Sequence, residues 1–416
     1  MSKFKTYKDV KIAVYAICKN EAKFIDGWLK NIWCDGKGAD GVYVLDTGST
    51  DSTLQDFESV SKAIGAPEGW LTIKQKTYEK WRFDTGRNDN LAMVPPEKYD
   101  VFYCIDLDEK VIPDFWDDLR KMVFEHPDFE RIYYQYAWSH DEETGEPKWY
   151  FWYDKIHGTR GWRWDYPVHE ALKCDESEKY GYRGTYCLDA NKIYLHHYPD
   201  QTKSRGSYLG LLKLRAEEYP DDLYGLYYLA REYSFHNEYQ NALKAALELY
   251  IRLLKGNPTK EELSVRDDMN MLPGTCCMLG DMFWKCGLKD DAEFYYGRAI
   301  HYNHTMRDGY IKLAQLLAYR GKSEECYKVL KEMEANSIKI VDWRLVDYYW
   351  RDWKKYQIIA DAKCWEGKYE EAQKYFDMAF ADIKTASDKT DATNEGLYTD
   401  YAWLVNHLAD RREICS

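Results

Sequence analysis

The sequence predicts an α/β unit built on a mostly parallel sheet, followed by an all-α helical repeat unit. Three observations carry this. Near-continuous apolar runs alternate with amphipathic stretches early in the chain, as in parallel sheets covered on both faces. Polar or acidic residues stand at the ends of those runs. Beyond about Pro199, helical stretches recur with small residues at matched places.

The first strand is predicted at Lys11-Ile12-Ala13-Val14-Tyr15-Ala16-Ile17-Cys18, followed by the turn Lys19-Asn20-Glu21. An amphipathic helix then carries Phe24, Ile25, Trp28, Leu29 and Ile32 on one face. The second strand, Val42-Tyr43-Val44-Leu45-Asp46, runs into Thr47-Gly48-Ser49-Thr50-Asp51-Ser52-Thr53. There Thr50 or Asp51 is expected to cap the next helix by accepting backbone N–H bonds. A third run begins at Val101 and ends in Asp106-Leu107-Asp108-Glu109. Ligands of parallel sheets gather at the carboxyl ends of strands, and two carboxylates held there suit a hard divalent cation that also grips a diphosphate. Tyr133, Tyr134, Tyr136 and Trp138, with Tyr150 to Tyr153, read as strands whose alternation buries half of the rings.

The later half repeats Leu229-Ala230 with Ala242, Leu279-Gly280 with Ala292, Leu313-Ala314 with Cys326, and Ile359-Ala360 with Ala372. Gly287 and Gly321 are 34 residues apart, the tetratricopeptide period, whereas Gly321 and Gly367 are 46 apart and imply an insertion or longer helices. Domains are expected at 1–203 and 204–416. Solenoids of this kind bind protein or peptide, and a homodimer through the repeats is the other expectation.

The series Cys18-Lys19-Asn20-Glu21, Leu45-Asp46-Thr47-Gly48-Ser49-Thr50-Asp51, Phe83 to Arg87-Asn88, Asp106-Leu107-Asp108-Glu109 and Val168-His169-Glu170 resembles the family 2 glycosyltransferases over roughly residues 8 to 205. The resemblance implies the GT-A nucleotide-sugar fold, Mn²⁺ or Mg²⁺, and transfer of a sugar from a nucleotide diphosphate, most simply UDP, with inversion at the anomeric carbon. It implies Asp108 as direct metal ligand and Asp106 as a contact to ribose or, through water, to the metal. Asp46, Lys19, Asn20 and Glu21 fall where the family holds the nucleotide. Arg87 and Asn88 are expected to hold phosphate or to order the Asp-x-Asp loop, since Arg suits bidentate phosphate binding. Glu170 is the candidate base, because attack on the anomeric carbon requires deprotonating the acceptor. His169 would orient acceptor or phosphate. Of His196 and His197, His197 is the candidate to complete the metal shell, while Trp162 and Trp164 are the candidates to stack against sugar or acceptor.

A catalytic domain of this kind joined to repeats resembles the sublancin-type S-glycosyltransferases, which implies a peptide or protein acceptor. The alternatives are a cell-envelope enzyme building polysaccharide or lipopolysaccharide core, and a non-catalytic scaffold. The net charge of −13 speaks against a broad nucleic-acid surface. No apolar stretch reaches the about 18 residues of a membrane span, and the eleven cysteines form no CxxC pair, so a soluble, cytoplasmic protein is expected. No dinucleotide-binding, Walker or nucleophile-elbow motif occurs.

Overall fold

The computed structural model describes residues 4–140, 145, 147–175, 184–200, 206, 208–255, 271–337 and 352–385. One compact unit runs to Arg215, apart from residues 141–144, and a second takes up the chain from Ala216. The expected boundary at 203/204 lies outside the described residues.

In the first unit, β1 (Ile12–Cys18), β2 (Gly41–Asp46), β3 (Leu71–Gln75) and β4 (Val101–Cys104) form the parallel wing of a nine-stranded sheet. They alternate with α1 (Ala22–Trp33), α2 (Thr53–Ala63) and α3 (Phe83–Leu91). After β5 (Glu109–Val111) and α4 (Phe115–Glu125) come β6 (Arg131–His140), β7 (Pro147–His157), β10 (Thr185–Cys187) and β11 (Ile193–His197). The strand order is β3-β2-β1-β4-β7-β6-β11-β5, with β10 also paired to β6. A separate hairpin joins β8 (Trp162–Asp165) to β9 (Ala171–Cys174).

Strand direction fixes where the site lies. β7 is antiparallel to both β4 and β6, and β11 is parallel to β6. The carboxyl ends of β1, β2, β4, β6 and β11 therefore share one edge of the sheet. Beneath it the core is dense: β1 is buried nearly throughout, and Ile25, Trp28, Leu29 and Ile32 of α1 are fully buried against the sheet. Each such side chain contributes about 1.5–3 kcal/mol by leaving water.

The helix α5 (Tyr208–Glu218) closes the first unit. The second consists of antiparallel helix pairs: α6 (Leu223–Phe235) with α7 (Tyr239–Leu254), α8 (Met271–Lys285) with α9 (Lys289–Tyr302), α10 (Arg307–Tyr319) with α11 (Ser323–Asn336), and α12 (Trp353–Trp365) with α13 (Tyr369–Thr385). Each pair turns through a left-handed residue, Asn237, Gly287, Gly321 or Gly367, which explains the glycine spacing seen in the sequence. Close approach accounts for Gly280, where an added Cβ would fall 2.3 Å from the Tyr296 ring. The longer spacing from Gly321 to Gly367 is not made by longer helices, since α10, α11 and α12 hold 13, 14 and 13 residues. The extra residues lie between Asn336 and Trp353. Among the described residues no helix is long and apolar enough to cross a membrane.

Candidate functional site

At the tips of β1 and β2 the two polar turns are bonded to one another. The Asn20 amide donates to Ser49 Oγ (2.8 Å) and the Thr50 amide to Asn20 Oδ1 (2.8 Å). Asp51 accepts from the amides of Thr53 (3.0 Å) and Ala22 (3.3 Å), so one carboxylate caps the first turns of both α2 and α1. Asp46 is buried, and it accepts from Gly48 N (3.2 Å), Ser49 N (3.1 Å), Ser49 Oγ and Gln75 Nε2 (3.1 Å). Burial works against its ionised form, but these donors outweigh burial and hold the carboxyl below its usual range. Asp46 shapes the turn from within and has no exposed oxygen for a nucleotide. Lys19 and Asn20 are exposed beside it, and Glu21 is half-buried, its amide donating to Thr53 Oγ1 (2.8 Å).

A buried chain of charges crosses the next part of the edge. Arg87, on α3, bonds Asp106 through both terminal nitrogens (2.9 and 3.1 Å) and Glu170 Oε1 through Nε (2.5 Å). Lys155, on β7, bonds Asp106 Oδ2 (2.7 Å) and approaches Glu109 Oε1 (3.6 Å). Burial alone would raise the Asp106 carboxyl, yet Arg87 and Lys155 drive it far below the usual range. Burial, with Asp106 and Asp108 nearby, pushes Glu109 the other way. Both Asp106 oxygens are thus bonded to protein cations, on a side chain that is 28% exposed. The guanidinium of Arg87 is likewise spent: it orders the Asp-x-Asp turn rather than reaching phosphate. Asn88 pairs with the backbone of Trp164 in both directions, its Nδ2 donating to the carbonyl (2.7 Å) and its Oδ1 accepting from the amide (2.8 Å), as a neighbouring strand would. It holds β8 in place with one of its two amide donors and one lone pair of its oxygen.

Asp108 differs in its partner, not in its exposure: its side chain is 27% exposed against 28% for Asp106, but Oδ2 faces an imidazole, 3.3 Å from His197 Nε2 at the end of β11, instead of protein cations. His197 Nδ1 donates to the Trp138 carbonyl (3.2 Å), which fixes the ring with Nε2 toward the carboxylate. Burial lowers the pKa of this imidazole, but the hydrogen bond and charge of Asp108, with Glu109 and the Trp138 carbonyl, raise it overall. The pair fits a divalent cation. A carboxylate oxygen and an imidazole nitrogen point at one place, the imidazole is oriented from behind as metal-ligating histidines are, and a diphosphate with water can fill the remaining positions. Among the described residues no group of three or more His, Cys, Asp or Glu converges on one point, so two protein ligands are what this edge offers.

Glu170 follows a strained loop in which Tyr166 and His169 adopt positive φ (80° and 49°). Arg215 of α5 holds that loop by donating to the carbonyls of Val168 (2.9 Å) and His169 (2.8 Å), with its guanidinium carbon 3.7 Å from the centre of the Tyr166 ring. The His169 ring meets Tyr208 edge-on at 5.8 Å. Trp164 is only 3% exposed, its indole N–H donating to Tyr15 Oη (3.0 Å), so it has no ring face for an acceptor. Trp162 packs on the same core, between His157 and Arg131. Trp164 is thus part of the core, and Trp162 is half-buried against it. Sequence reasoning passed over Lys155 and Arg215, neither of which sits in a local motif, and named Trp138 only as one of the strand aromatics.

No protein-family model and no curated protein matches the sequence. Among solved structures, S. aureus TarS 1–349 in complex with UDP is similar at 14% identity, covering 71% of this chain and 93% of that one, with a TM-score of 0.36. A thermophilic TPR protein of Thermus thermophilus is similar at 17% identity, covering 48% of this chain and 90% of that one, with a TM-score of 0.33. A Podosopora anserina putative kinesin light chain with TPR-like repeats matches at 15% identity, covering 47% and 91%, with a TM-score of 0.33.

Proposed function

We propose that this chain is a metal-dependent, inverting glycosyltransferase that moves a sugar from a nucleotide diphosphate sugar, UDP-linked, onto a peptide or protein. The observation that carries the reading is the buried charge chain from Glu170 through Arg87 and Asp106 to Lys155. It ties a carboxylate able to take a proton to the turn bearing Asp108, at the carboxyl edge of parallel strands. Asp108 and His197 would hold Mn²⁺ or Mg²⁺, whose charge offsets that of the departing diphosphate. Glu170 accepts the proton of the attacking nucleophile, and Arg87 fixes that carboxylate in position. Attack from the face opposite the leaving group inverts the anomeric carbon.

The repeat unit favours a peptide over an envelope glycan as acceptor. Between its helix pairs lies a groove of about 470 Å³ lined by Trp284, Tyr319, Ile358, Trp365 and Phe376, a lining suited to amino-acid side chains. Thermal unfolding with UDP, GDP or dTDP, each with Mn²⁺ or with EDTA, tests the donor side. A native-state ligand raises the melting point, so one nucleotide should stabilise the protein with Mn²⁺ and lose most of that effect with EDTA. Stabilisation by none of them would refute the reading.

A further inference from the structure

The sheet order also bears on where the donor's sugar sits, an inference that rests on the nucleotide-sugar reading above. The strands β2, β1, β4, β7, β6 and β11 follow one another across the sheet, and the Asp108–His197 pair stands at the β4 and β11 ends. A diphosphate gripped by that pair leaves its sugar one glycosidic oxygen beyond the phosphate, hence beside the residues that surround His197. One exposed ring that touches His197 is Trp138. It is 38% exposed, and its ring centre lies 4.6 Å from that of His197 at an angle of 36°.

Tyr198, 46% exposed and next to His197, has its ring stacked flat on that of His140 (4.8 Å, 6°) with Lys110 Nζ 5.6 Å from its centre. Tyr136 and Phe151 are buried under Trp138 and against one another. Tyr150 and Trp152 are exposed, but their register opposite Ala137 and Gln135 turns them to the other side of the β6–β7 hairpin from Tyr136. Trp138 combines solvent exposure with a ring contact to a candidate metal ligand, His197. An indole face suits the C–H face of a pyranose, because a broad, weakly negative π surface meets partly positive hydrogens while the sugar hydroxyls stay in water.

We propose that Trp138 is the platform on which the hexose of the donor stacks, so that this residue, rather than Trp162 or Trp164, sets the affinity for the sugar. The residue has two separable parts. Its carbonyl orients His197 and survives any side-chain substitution; its indole makes the sugar contact. Titration calorimetry of the full chain with Mn²⁺ and UDP, UDP-glucose or UDP-N-acetylglucosamine separates them. W138A should bind UDP within twofold of the wild type but bind the better of the two UDP-sugars at least tenfold more weakly, and W138F should recover most of the loss. Equal weakening of UDP and UDP-sugar by W138A would overturn the proposal and leave Trp138 as support for His197. Unchanged binding of all three would overturn it as well. A wild-type protein that binds none of them with Mn²⁺ removes the nucleotide-sugar reading itself and this inference with it, an outcome distinct from the other two.

Discussion

At the tips of β1 and β2, the side chains of Asp46, Asp51 and Asn20 are bonded to protein, and the turns are closed on themselves. At the tips of β4, β6 and β11, by contrast, Asp108 faces a single imidazole, that of His197, beside the exposed ring of Trp138. The closed region builds the edge and the open region is left to do chemistry. The boundary between them runs through a single motif, because Asp106 belongs to the first and Asp108 to the second. Removing a group from the closed region should cost stability, and removing one from the open region should cost activity.

The largest effect is expected at Arg87, where the closed region is most heavily charged. Arg87→Met leaves Glu170 without that partner and Asp106 with Lys155 alone; breaking a buried pair from one side costs about 3–5 kcal/mol, and with Asp106 28% exposed the lower end of that range is expected. Urea unfolding should show that loss, and Arg87→Lys should recover little of it, since an ammonium cannot make the bidentate bond to Asp106. A stable, inactive Arg87→Met would place Arg87 with the open region instead. The complementary test is Asp108→Asn. Its expected signature is sugar transfer reduced at least about a hundredfold with stability within about 0.5 kcal/mol of the wild type. An unfolded Asp108→Asn would erase the distinction between the two carboxylates.

Much of the fold was legible in the sequence for simple reasons. The strands β1, β2 and β4 are uninterrupted apolar runs, and the repeat turns carry residues that tolerate positive φ. The edge of the sheet followed from acidic residues at strand ends. What could not be read was which polar groups face inward. Asp106 and Asp108 are equivalent in a motif, and it is Arg87 on α3 with Lys155, arriving 49 residues later on β7, that pairs Asp106 with protein cations. Asn88 and Trp164 look like site residues because they flank motifs, yet their bonds are to each other, 76 residues apart. Arg215 was hidden by its place in a helix that reads as the start of the repeats, although it belongs to the compact unit of the sheet. A truncation at Pro199 would therefore remove the clamp on the Glu170 loop along with the repeats.

A smaller effect comes from the closed region's buried histidine. His157 bonds Tyr15 Oη (2.8 Å) through Nε2, and its Nδ1 donates to the Gly158 carbonyl (2.7 Å). Burial lowers its pKa to about 3, with Arg131 adding to the drop and the Gly158 bond only partly opposing it. In the unfolded chain the ring titrates near about 6.5. Below that pH the unfolded state takes up a proton that the folded state does not, so this contribution is complete above about 6.5 and is lost as pH falls toward about 3. The loss reaches about 2 kcal/mol by about pH 5. Unfolding free energies measured from about pH 7 to about pH 5 should show that slope, and His157→Gln should flatten it. An unchanged slope in the variant would assign the acid sensitivity to other groups.

The smallest effect distinguishes the regions most finely, because it falls on a residue whose motif points to the nucleotide and whose bonds point to the fold. Asn88 gives Trp164 both a donor and an acceptor, standing in for a strand beside β8, and that strand leads through the Tyr166 turn to Glu170. Asn88→Ala leaves a backbone N–H and a carbonyl of Trp164 without those partners, which costs about 1–3 kcal/mol where water cannot replace them. The residue is half-buried, so the lower end of that range is expected. Affinity for UDP with Mn²⁺ should stay within twofold, because the Asn88 amide is directed at the Trp164 backbone through both its nitrogen and its oxygen. Turnover should fall only modestly, through a less fixed β8 and hence a less fixed Glu170. The reverse pattern, unchanged stability with UDP binding weakened tenfold, would move Asn88 into the open region and draw the boundary through α3 rather than between Asp106 and Asp108.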